Sequence, residues 1–311
     1  MDLGIVVVSY NTRQLTCNCL TAAYAAIAAA DLGAHIWVVD NASSDGSAEE
    51  VRRRFPQATV IASDINLGFA GGNNVALRAM AALDRPPRHI LLLNSDTQAY
   101  PDSLGHMVSY LDAHPRVGVV GAQLLYGDGS FQHGAFHYPT LWMALFDFWP
   151  PHNRLANSWL NGRYPPSRYA SGEPFPIDHP LGAALMMRWE TFQQVGPLDE
   201  GFFMYCEEID WCLRVKRAGW AIYCVPQARV VHLAGQSTRQ FHDEMYLVLW
   251  RSRFRLFEKH YSRPYRWAVR RIVRAGMAAE ARRLRRALRR GEMGADEAER
   301  RLATYRAVRA L

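Results

Sequence analysis

Residues 90–96 read ILLLNSD, an apolar run that ends abruptly in three polar side chains. A short run that is apolar throughout predicts a strand buried on both faces of a sheet. Residues 5–8 and 36–39 repeat the pattern, and polar residues again follow each run directly. The sequence therefore predicts several buried strands whose ends carry polar groups.

Helical segments separate these strands along the chain. The pattern predicts helices at residues 15–30, 47–54 and 73–83, and a further strand at residues 60–62. Alternating strands and helices predict an α/β fold in which parallel strands are joined by crossover helices. The carboxyl ends of parallel strands lie along one edge of the sheet, where open α/β sheets bind their ligands.

Three polar clusters are predicted to meet at that edge. They are, in chain order, Ser9-Tyr10-Asn11, Asp40-Asn41 and Asn94-Ser95-Asp96. Residues of these types also begin turns and cap helices, so one cluster alone would carry little weight. Three clusters that follow three strands favour a ligand-binding site.

The stretch at residues 66–74 reads NLGFAGGNN and combines glycines with the start of a predicted helix. Close backbone approach and free N–H groups suit a ribose or a diphosphate, although glycine-rich turns often serve only to reverse the chain. The spacing differs from G-x-G-x-x-G, and the stretch follows the third strand instead of the first. A nicotinamide-dependent oxidoreductase is therefore disfavoured.

The charge of the chain is unevenly distributed. The 311 residues are 49% hydrophobic and 21% charged, and the net charge of +7 comes from residues 266–311, which contain fourteen arginines and five acidic residues. The body has no stripe of basic and aromatic residues, so a nucleic-acid partner is not expected.

The sequence of the tail predicts helices from residue 266, at residues 279–290 and from residue 296. Three roles suit these helices: packing against the body, self-association, or contact with an anionic membrane surface.

The cysteines and the apolar runs bear on the compartment. The five cysteines form no C-x-x-C pair, and no signal peptide precedes the first apolar run. No apolar stretch is long enough to cross a bilayer. We therefore expect a reduced, cytoplasmic protein.

The alternation of strand and helix stops at residues 126–180, which are rich in aromatic residues, proline and glycine. This composition indicates either a long insertion over the edge of the site or a satellite hydrophobic cluster packed against the body. Further strands are predicted at residues 222–225 and 229–231, and the second ends at His232. A histidine in this place is usually a hydrogen-bonded core residue, but with Asp96 as a hard oxygen donor it also suits a metal ligand.

An aromatic run at residues 202–205 precedes Glu207, Glu208 and Asp210, which open a predicted helix. Acidic residues at a helix N-terminus gain from the helix dipole, and this alone could explain them. A carboxylate that the aromatic side chains desolvate would instead have a pKa suited to a general base.

Five motifs together resemble the family 2 glycosyltransferases of the GT-A fold, and within them the bacterial rhamnosyltransferase-like branch. The motifs are VVSYN at 7–11, VDNAS at 39–43, NLGFAGGNN at 66–74, LLNSD at 92–96 and FMYCEEID at 203–210. The likeness extends, in order, over about residues 3–260. It implies a Rossmann-like mixed sheet flanked by helices, with a C-terminal helical extension.

The resemblance also implies a division of the chain. Residues 1–262 correspond to the GT-A glycosyltransferase domain, and residues 263–311 form the basic helical extension. Within the domain, residues 1–125 are the half that binds the nucleotide-sugar, and residues 126–262 are the acceptor and catalytic half.

The resemblance assigns roles to individual residues on the donor side. Asp40 matches the residue that hydrogen-bonds the nucleotide base. Asn94 and Asp96 match the D-x-D metal motif with Asn in its first place, so Mg²⁺ or Mn²⁺ would depend on Asp96, with His232 as a further ligand. The implied nucleotide-sugar-binding residues are Ser9, Asn11, Asp40, Asn41, Asn66, Gly68, Asn74, Asn94 and Asp96.

Glu208 stands where many relatives have the aspartate of a Glu-Asp pair, the catalytic base. Because glutamate is one methylene longer, Glu207 and Asp210 remain alternatives, and Gly182 is a further acceptor-side candidate. The base would take the proton of an acceptor hydroxyl while its oxygen attacks the anomeric carbon from the face opposite the diphosphate. This attack inverts the configuration.

The resemblance thus implies an inverting, metal-dependent hexosyltransferase of polysaccharide biosynthesis, cytoplasmic and peripheral at the inner face of the membrane. The expected donor is dTDP-rhamnose, with UDP- or GDP-sugars as alternatives, and the expected acceptor is a surface glycan or a polyprenyl-diphosphate-linked glycan. A nucleotidyltransferase and a non-catalytic nucleotide-sugar binder are the alternative functions. The first would require basic residues for a triphosphate, and the predicted strand ends are poor in arginine.

Overall fold

The computed structural model describes residues 1–233 and 242–311. Within these ranges the strands are β1 Leu3–Ser9, β2 Ala34–Asn41, β3 Thr59–Ser63, β4 His89–Asn94, β5 Thr97–Ala99, β6 Val117–Leu125, β7 Phe131–Gln132, β8 Ala135–Phe136, β9 Phe175–Pro176, β10 His179–Pro180, β11 Ala184–Arg188 and β12 Ala221–His232. The α-helices are α1 Arg13–Ala29, α2 Ser47–Arg54, α3 Gly68–Ala81, α4 Ser103–Ala113, α5 Leu141–Phe146, α6 Asn153–Ala156, α7 Pro166–Ala170, α8 Trp189–Val195, α9 Glu207–Arg217, α10 His242–His260, α11 Arg263–Arg289 and α12 Ala295–Ala310.

A single mixed sheet forms the centre of the protein. Its strand order is β3-β2-β1-β4-β11-β6-β12-β5, with β7 beside β6 and β9 beside β12. Strands β1 to β4 are mutually parallel where they pair, and β11 runs antiparallel to both β4 and β6. The predicted mixed α/β architecture is therefore present.

Both faces of the sheet are covered, as the apolar runs predicted. Along β1, Ile5 and Val7 pack into the core layer that contains α1 and α4, whereas Val6 packs into the layer that contains α3 and α9. All three side chains are fully buried. Alternating side chains of one strand thus fill two separate core layers.

The register of the sheet brings the predicted polar clusters together. Ser9 of β1 pairs with Asp40 of β2, and Val8 lies opposite Asn94 of β4. The three clusters therefore end side by side at one carboxyl edge, which confirms the prediction made from the apolar runs.

Three elements differ in extent from the prediction. The two strands predicted at 222–225 and 229–231 are one strand, β12, with an irregularity between Val225 and Arg229, where Pro226 has no N–H to donate. The helix predicted at 73–83 begins earlier, at Gly68. The tail helices predicted from 266 and at 279–290 are one continuous helix, α11, because the alanine-rich join between them favours helix.

The segment at residues 126–180 is built of short elements that pack against the body. Phe131, Tyr169 and Phe175 form edge-to-face ring pairs and join the core layer of α3 and α9. Ala144 and Phe148 join a further cluster formed by α10, α11 and α12. The structure thus agrees with the satellite-cluster interpretation of this segment.

The C-terminal helices bury a core of their own. Trp250 of α10 stacks on Phe148 with ring centroids 5.5 Å apart, and Val269, Val273 and Met277 of α11 are fully buried beside them. The arginine-rich face of α11 therefore remains on the outside, while its apolar face attaches the tail to the body.

Gly276 lies at the tightest point of this attachment, and a Cβ at this position would overlap the ring of Phe148. We expect Gly276→Ala to lower the melting temperature, since overpacking typically costs about 1–3 kcal/mol. Gly294→Ala is the control, because a Cβ there meets open space. Differential scanning fluorimetry of both variants measures the difference, and equal melting temperatures would show that the ring moves aside freely.

Candidate functional site

A cavity of about 550 Å³ opens at the carboxyl edge of β1, β2 and β4. It gathers residues that are far apart in the sequence, from the strand ends, from the start of α3 and from the start of α9. Nine of the residues predicted for the site line it: Asn41, Asn66, Gly68, Asn94, Asp96, Gly182, Glu207, Glu208 and His232. The two sides proposed for donor and base therefore face one common space.

Five predicted residues do not line this cavity. Ser9 is fully buried and shares hydrogen bonds with Thr12 and Thr16. The side chain of Asn74 donates to the carbonyl of Leu198 and accepts from its N–H. Both residues connect elements of the fold.

Asn11 and Asp40 organise the loop that follows β2. The amide oxygen of Asn11 accepts from the N–H of Ser44, and Oδ2 of Asp40 accepts from the N–H of Ser43. The buried Oδ1 of Asp40 has no hydrogen-bond partner in the described ranges. It is therefore an unsatisfied buried acceptor beside the strand edge.

Asp210 is held in a different environment. Its carboxylate accepts hydrogen bonds from Nε of Arg214 at 3.1 Å and Nε2 of His260 at 2.7 Å, and pairs with Lys259. Burial alone would raise the pKa of Asp210, but the hydrogen bonds from Lys259 and His260 and the charge of Arg214 lower it. The residue links α9 to α10 and does not line the cavity.

Sequence reasoning missed several lining residues. Phe69 and Met204 lie in quoted motifs without an assigned role, and both line the cavity. Glu244 and Met245, at the start of α10, also line it. No motif marks these two residues, because α10 reaches the site only through tertiary packing.

A close backbone contact positions the acidic residues. Gly68 has φ +70°, and a Cβ there would overlap the carbonyl group of Phe203. The next N–H, that of Phe69, donates to the same carbonyl at 2.7 Å. The start of α3 and the loop before α9 are therefore held together where only glycine fits.

The loop turns sharply into α9. Tyr205 and Cys206 have φ values of 70° and 69°, a left-handed conformation that is costly for residues with a Cβ. The strain is consistent with a functional site, because it directs the first turn of α9, with Glu207 and Glu208, to the cavity.

The side chain of Asn41 links the strand edge to the same region. Its Nδ2 donates to the carbonyl of Gly68 at 2.9 Å and to Oδ1 of Asn66 at 3.1 Å. Its Oδ1 accepts from the N–H of Leu67. A residue predicted to contact a ligand thus also fixes the beginning of α3.

Glu207 and Glu208 have unequal environments. Glu207 is 4% exposed, and burial, followed by the nearby charge of Glu208, raises its pKa well above the usual value. Burial raises the pKa of Glu208 to about 7, although backbone N–H groups at the start of α9 oppose the shift. Glu208 is half-buried, so its carboxyl changes charge near neutral pH and remains accessible from the cavity.

A second polar group lies around the end of β4. Oδ1 of Asp96 is 3.5 Å from Nε2 of His232, whose Nδ1 lies 3.1 Å from Oε1 of Gln132. Burial lowers the pKa of His232, and the charge of Asp96 opposes the shift. A neutral imidazole with its second nitrogen hydrogen-bonded is the form in which histidine binds metals.

These groups fit a divalent cation. Asp96 is 6% exposed, and in the described ranges its only ion-pair partner is His232. The nearby Oδ1 of Asn94 is buried without a hydrogen-bond partner there. Two oxygen donors and one imidazole suit Mg²⁺ or Mn²⁺, and further ligands would have to come from the substrate or solvent, since no group of three or more His, Cys, Asp or Glu side chains forms within the described residues.

The described wall of the cavity is acidic. Glu207, Glu208, Asp96 and Glu244 line it, and no lysine or arginine lies among the described residues of its wall. A cation bound with it would offset the charge of a polyanionic ligand in this cavity.

Comparison with known proteins gives two overlapping family matches. The family model described as Glycosyl transferase family 2 matches residues 4–162, about half of the chain. The model described as Glycosyl transferase family group 2 matches residues 89–291. Together they cover the sheet edge, the cavity and most of the tail.

Two curated relatives are similar over three quarters of this chain. The N-acetylglucosaminyl-diphospho-decaprenol L-rhamnosyltransferase of Mycobacterium tuberculosis is 26% identical over 257 residues, which are 76% of this chain and 79% of the relative. The dTDP-rhamnosyl transferase RfbF of Shigella flexneri is 21% identical over 238 residues, which are 76% of this chain and 71% of the relative.

A solved structure shares the architecture. The mannosyltransferase PcManGT of Pyrobaculum calidifontis, in complex with GDP-Man and Mn²⁺, superposes with a TM-score of 0.57 at 18% identity. The match covers 99% of this chain and 80% of the other. The predicted GT-A fold is thereby confirmed. None of the helices in residues 1–233 and 242–311 has the length and apolar character needed to cross a membrane.

The buried Glu207 gives a test of the site's electrostatics. Its raised pKa means that stability from this residue is complete below its ordinary pKa of 4.5 and is lost as pH rises. Glu207→Gln keeps the shape and removes the charge, so we expect its melting temperature to exceed that of the unchanged protein by a margin that grows with pH. Scanning calorimetry at about pH 5 and about pH 8 measures the margin.

The matched control is Glu49→Gln on α2, whose side chain is 77% exposed. Its melting temperature should differ little from that of the unchanged protein at both pH values. A margin for Glu207→Gln that does not change with pH would show that this carboxyl ionises in the folded protein as freely as in the unfolded chain.

Proposed function

Because the chain belongs to glycosyl transferase family 2 and is a glycosyltransferase, we propose that it transfers a rhamnosyl group from dTDP-rhamnose to a hydroxyl of a glycan or polyprenyl-diphosphate-linked acceptor. The observation that carries the proposal is that Glu208 lines the same cavity as Asn94, Asp96 and His232. The names of the two relatives support rhamnose as the sugar, dTDP as the nucleotide and a lipid diphosphate in the acceptor. UDP- and GDP-sugars remain the alternative donors.

The donor would occupy the strand edge. In this proposal the free Oδ1 of Asp40 accepts a hydrogen bond from the nucleotide base, and Asn66 and Gly68 border the nucleotide. The diphosphate would lie toward Asn94 and Asp96, where the described part of the cavity wall contains no arginine or lysine.

Asp96 and His232, with the amide oxygen of Asn94 close by, would hold Mg²⁺ or Mn²⁺. The similar mannosyltransferase structure contains Mn²⁺, which supports this assignment. A bound cation would offset the negative charge that develops on the leaving diphosphate.

Glu208 is the proposed general base. Its carboxylate would accept the proton of an acceptor hydroxyl, the hydroxyl oxygen would form a bond to the anomeric carbon, and the bond from that carbon to the diphosphate would break. Attack from the side of α9, opposite the strand edge, inverts the configuration. A pKa of about 7 leaves a large fraction of Glu208 ionised at neutral pH and keeps it basic enough to accept a proton.

The two alternative bases fit less well. Glu207 is more deeply buried, and burial and the charge of Glu208 raise its pKa well above the usual value, so burial disfavours its ionised form. Asp210 is paired with Lys259, His260 and Arg214 outside the cavity. Glu208 alone among the three combines access to the cavity with a pKa near neutrality.

A lipid-linked acceptor would place the enzyme at the inner face of the membrane. The basic tail fits that surface by charge, since five of its exposed arginines, at positions 271, 274, 282, 285 and 289, lie along one side of α11. Contact of this face with an anionic membrane is part of the proposal.

Glu208→Gln removes the proposed base and preserves the volume of the side chain. We expect kcat to fall by at least ~10²-fold while the affinity for the donor stays within ~3-fold. The assay incubates dTDP-, UDP- and GDP-sugars with an acceptor extract and measures release of the nucleoside diphosphate. For the unchanged enzyme, kcat/KM should rise with pH through about 7 as Glu208 ionises. The variant should not show this rise of kcat/KM with pH.

Glu190→Gln on α8 serves as the control, because this exposed residue lies away from the cavity. Near-normal turnover by Glu208→Gln would exclude Glu208 as the base. Failure of every nucleotide-sugar in the panel to release nucleotide would contradict transfer altogether and favour a non-catalytic binder.

Asp96→Ala removes the main proposed metal ligand. We expect the unchanged protein to bind dTDP at least ~10-fold more tightly with Mn²⁺ than with EDTA, and the variant to bind equally weakly in both. Isothermal titration calorimetry measures both affinities, with the exposed Asp84→Asn as the control. An affinity of the unchanged protein that EDTA does not alter would exclude a metal-dependent donor site here.

A further inference from the structure

A second cavity lies between the two C-terminal helices, α11 and α12. Its volume is about 220 Å³, and it shares no lining residue with the cavity of Glu208. Ala278 and Ala281 are the small residues on the α11 side. Four arginines line it, two from each helix: Arg282 and Arg285 from α11, and Arg306 and Arg309 from α12. We call this cavity the arginine groove.

The arginine groove contains no acidic residue. Its remaining lining residues are Leu302 and Tyr305, and in the part of the chain that the structure describes none of the four arginines forms an ion pair. Other arginines of the same helices do, since Arg270 pairs with Glu258, and Arg301 with Glu297. Within the described residues, no acidic side chain in the groove itself compensates this positive charge.

All four arginines are exposed, so the repulsion between them is weak, and a bound anion would remove it. Arg282 and Arg285 are three residues apart on one helix, and Arg306 and Arg309 are likewise, so each pair repels across one turn. The two helices face each other, which adds repulsion between the pairs. The planar guanidinium group matches phosphate oxygens with paired N–H donors, and it does so better than an ammonium group.

The shape of the groove also suits a compact anion. Alanine at 278 and 281 leaves space between the arginine stems, and Ala281 is only 8% exposed. The hydroxyl-bearing Tyr305 borders both this groove and a neighbouring cavity, which is lined by Asp147, Asp243 and Glu280 as well as by Arg283 and Arg301. A phosphate in the groove would meet guanidinium groups from two sides.

We propose that the arginine groove is a binding site for phosphate groups, separate from the site of sugar transfer. The shared chemistry is a phosphate ester or diphosphate, which a lipid headgroup and a soluble diphosphate both present. The proposal does not depend on sugar transfer at the cavity of Glu208, with which the groove shares no residue. Its lipid form deepens the membrane contact of the proposed function, because Arg282 and Arg285 also belong to the basic face of α11.

The test uses the full chain and two probes in the presence of EDTA, so that no metal-dependent binding at Asp96 contributes. Sodium diphosphate is titrated by calorimetry, and vesicles of phosphatidylcholine, with or without phosphatidylglycerol, are assayed by co-sedimentation. The variant carries glutamine at all four groove positions: Arg282→Gln, Arg285→Gln, Arg306→Gln and Arg309→Gln. We expect it to lose at least ~10-fold in affinity for whichever probe the unchanged protein binds.

A matched control removes the same charge elsewhere, by glutamine substitution of four exposed arginines of the body: Arg85, Arg154, Arg168 and Arg217. It should retain the affinity of the unchanged protein. If the fourfold groove variant does not fold, the double variant Arg285→Gln with Arg309→Gln takes its place, and its melting temperature is recorded beside the binding data.

Diphosphate binding that the groove variant loses identifies a soluble phosphate ligand. Loss of binding to phosphatidylglycerol vesicles alone identifies a lipid headgroup. Equal binding by the groove variant and the control would overturn the proposal, as would the absence of binding to both probes. Loss of sugar transfer with phosphate binding intact would bear on the proposed function only.

Discussion

The peptide N–H of Phe69 donates a hydrogen bond to the carbonyl of Phe203. The two backbones can approach this closely because residue 68 is a glycine, since a Cβ there would overlap the same carbonyl. This contact joins the first half of the chain, which supplies the sheet edge, to the loop that leads into α9. Together with the core packing of α9 and the ion pairs of Asp210 with α10, it fixes the acidic first turn of α9. The left-handed residues Tyr205 and Cys206 then set the direction in which that turn projects.

The three carboxyl groups at the start of α9 differ in pKa because their environments differ. Glu208 and Glu207 lack cationic partners among the described ion pairs, and burial raises the pKa of both. Asp210, in the same turn, is surrounded by cationic side chains and remains ionised. One helix start therefore supplies a group that can exchange a proton near neutral pH and a second group that anchors the helix.

Much of the site follows from residues that the sequence displays. Strands that are apolar throughout and end in Ser9, Asp40 and Asn94 must place these ends along one edge if they are parallel, and the register confirms this. Gly68 and Glu208 were recognised by resemblance to a family, and both line the cavity. The ion pairs of Asp210 and the cavity residues Glu244 and Met245 could not be predicted, since they arise from the packing of α10. The continuity of α11 was missed because the local pattern of charge changes within one helix.

The most direct test of a shared cavity is a crystal structure of the protein with dTDP and Mn²⁺. We expect the diphosphate beside Asp96 and His232, with the carboxyl of Glu208 facing it across the space that the sugar would fill. A nucleotide bound away from the carboxyl ends of β1, β2 and β4, or a Glu208 side chain turned out of the cavity in that complex, would contradict the proposed mechanism.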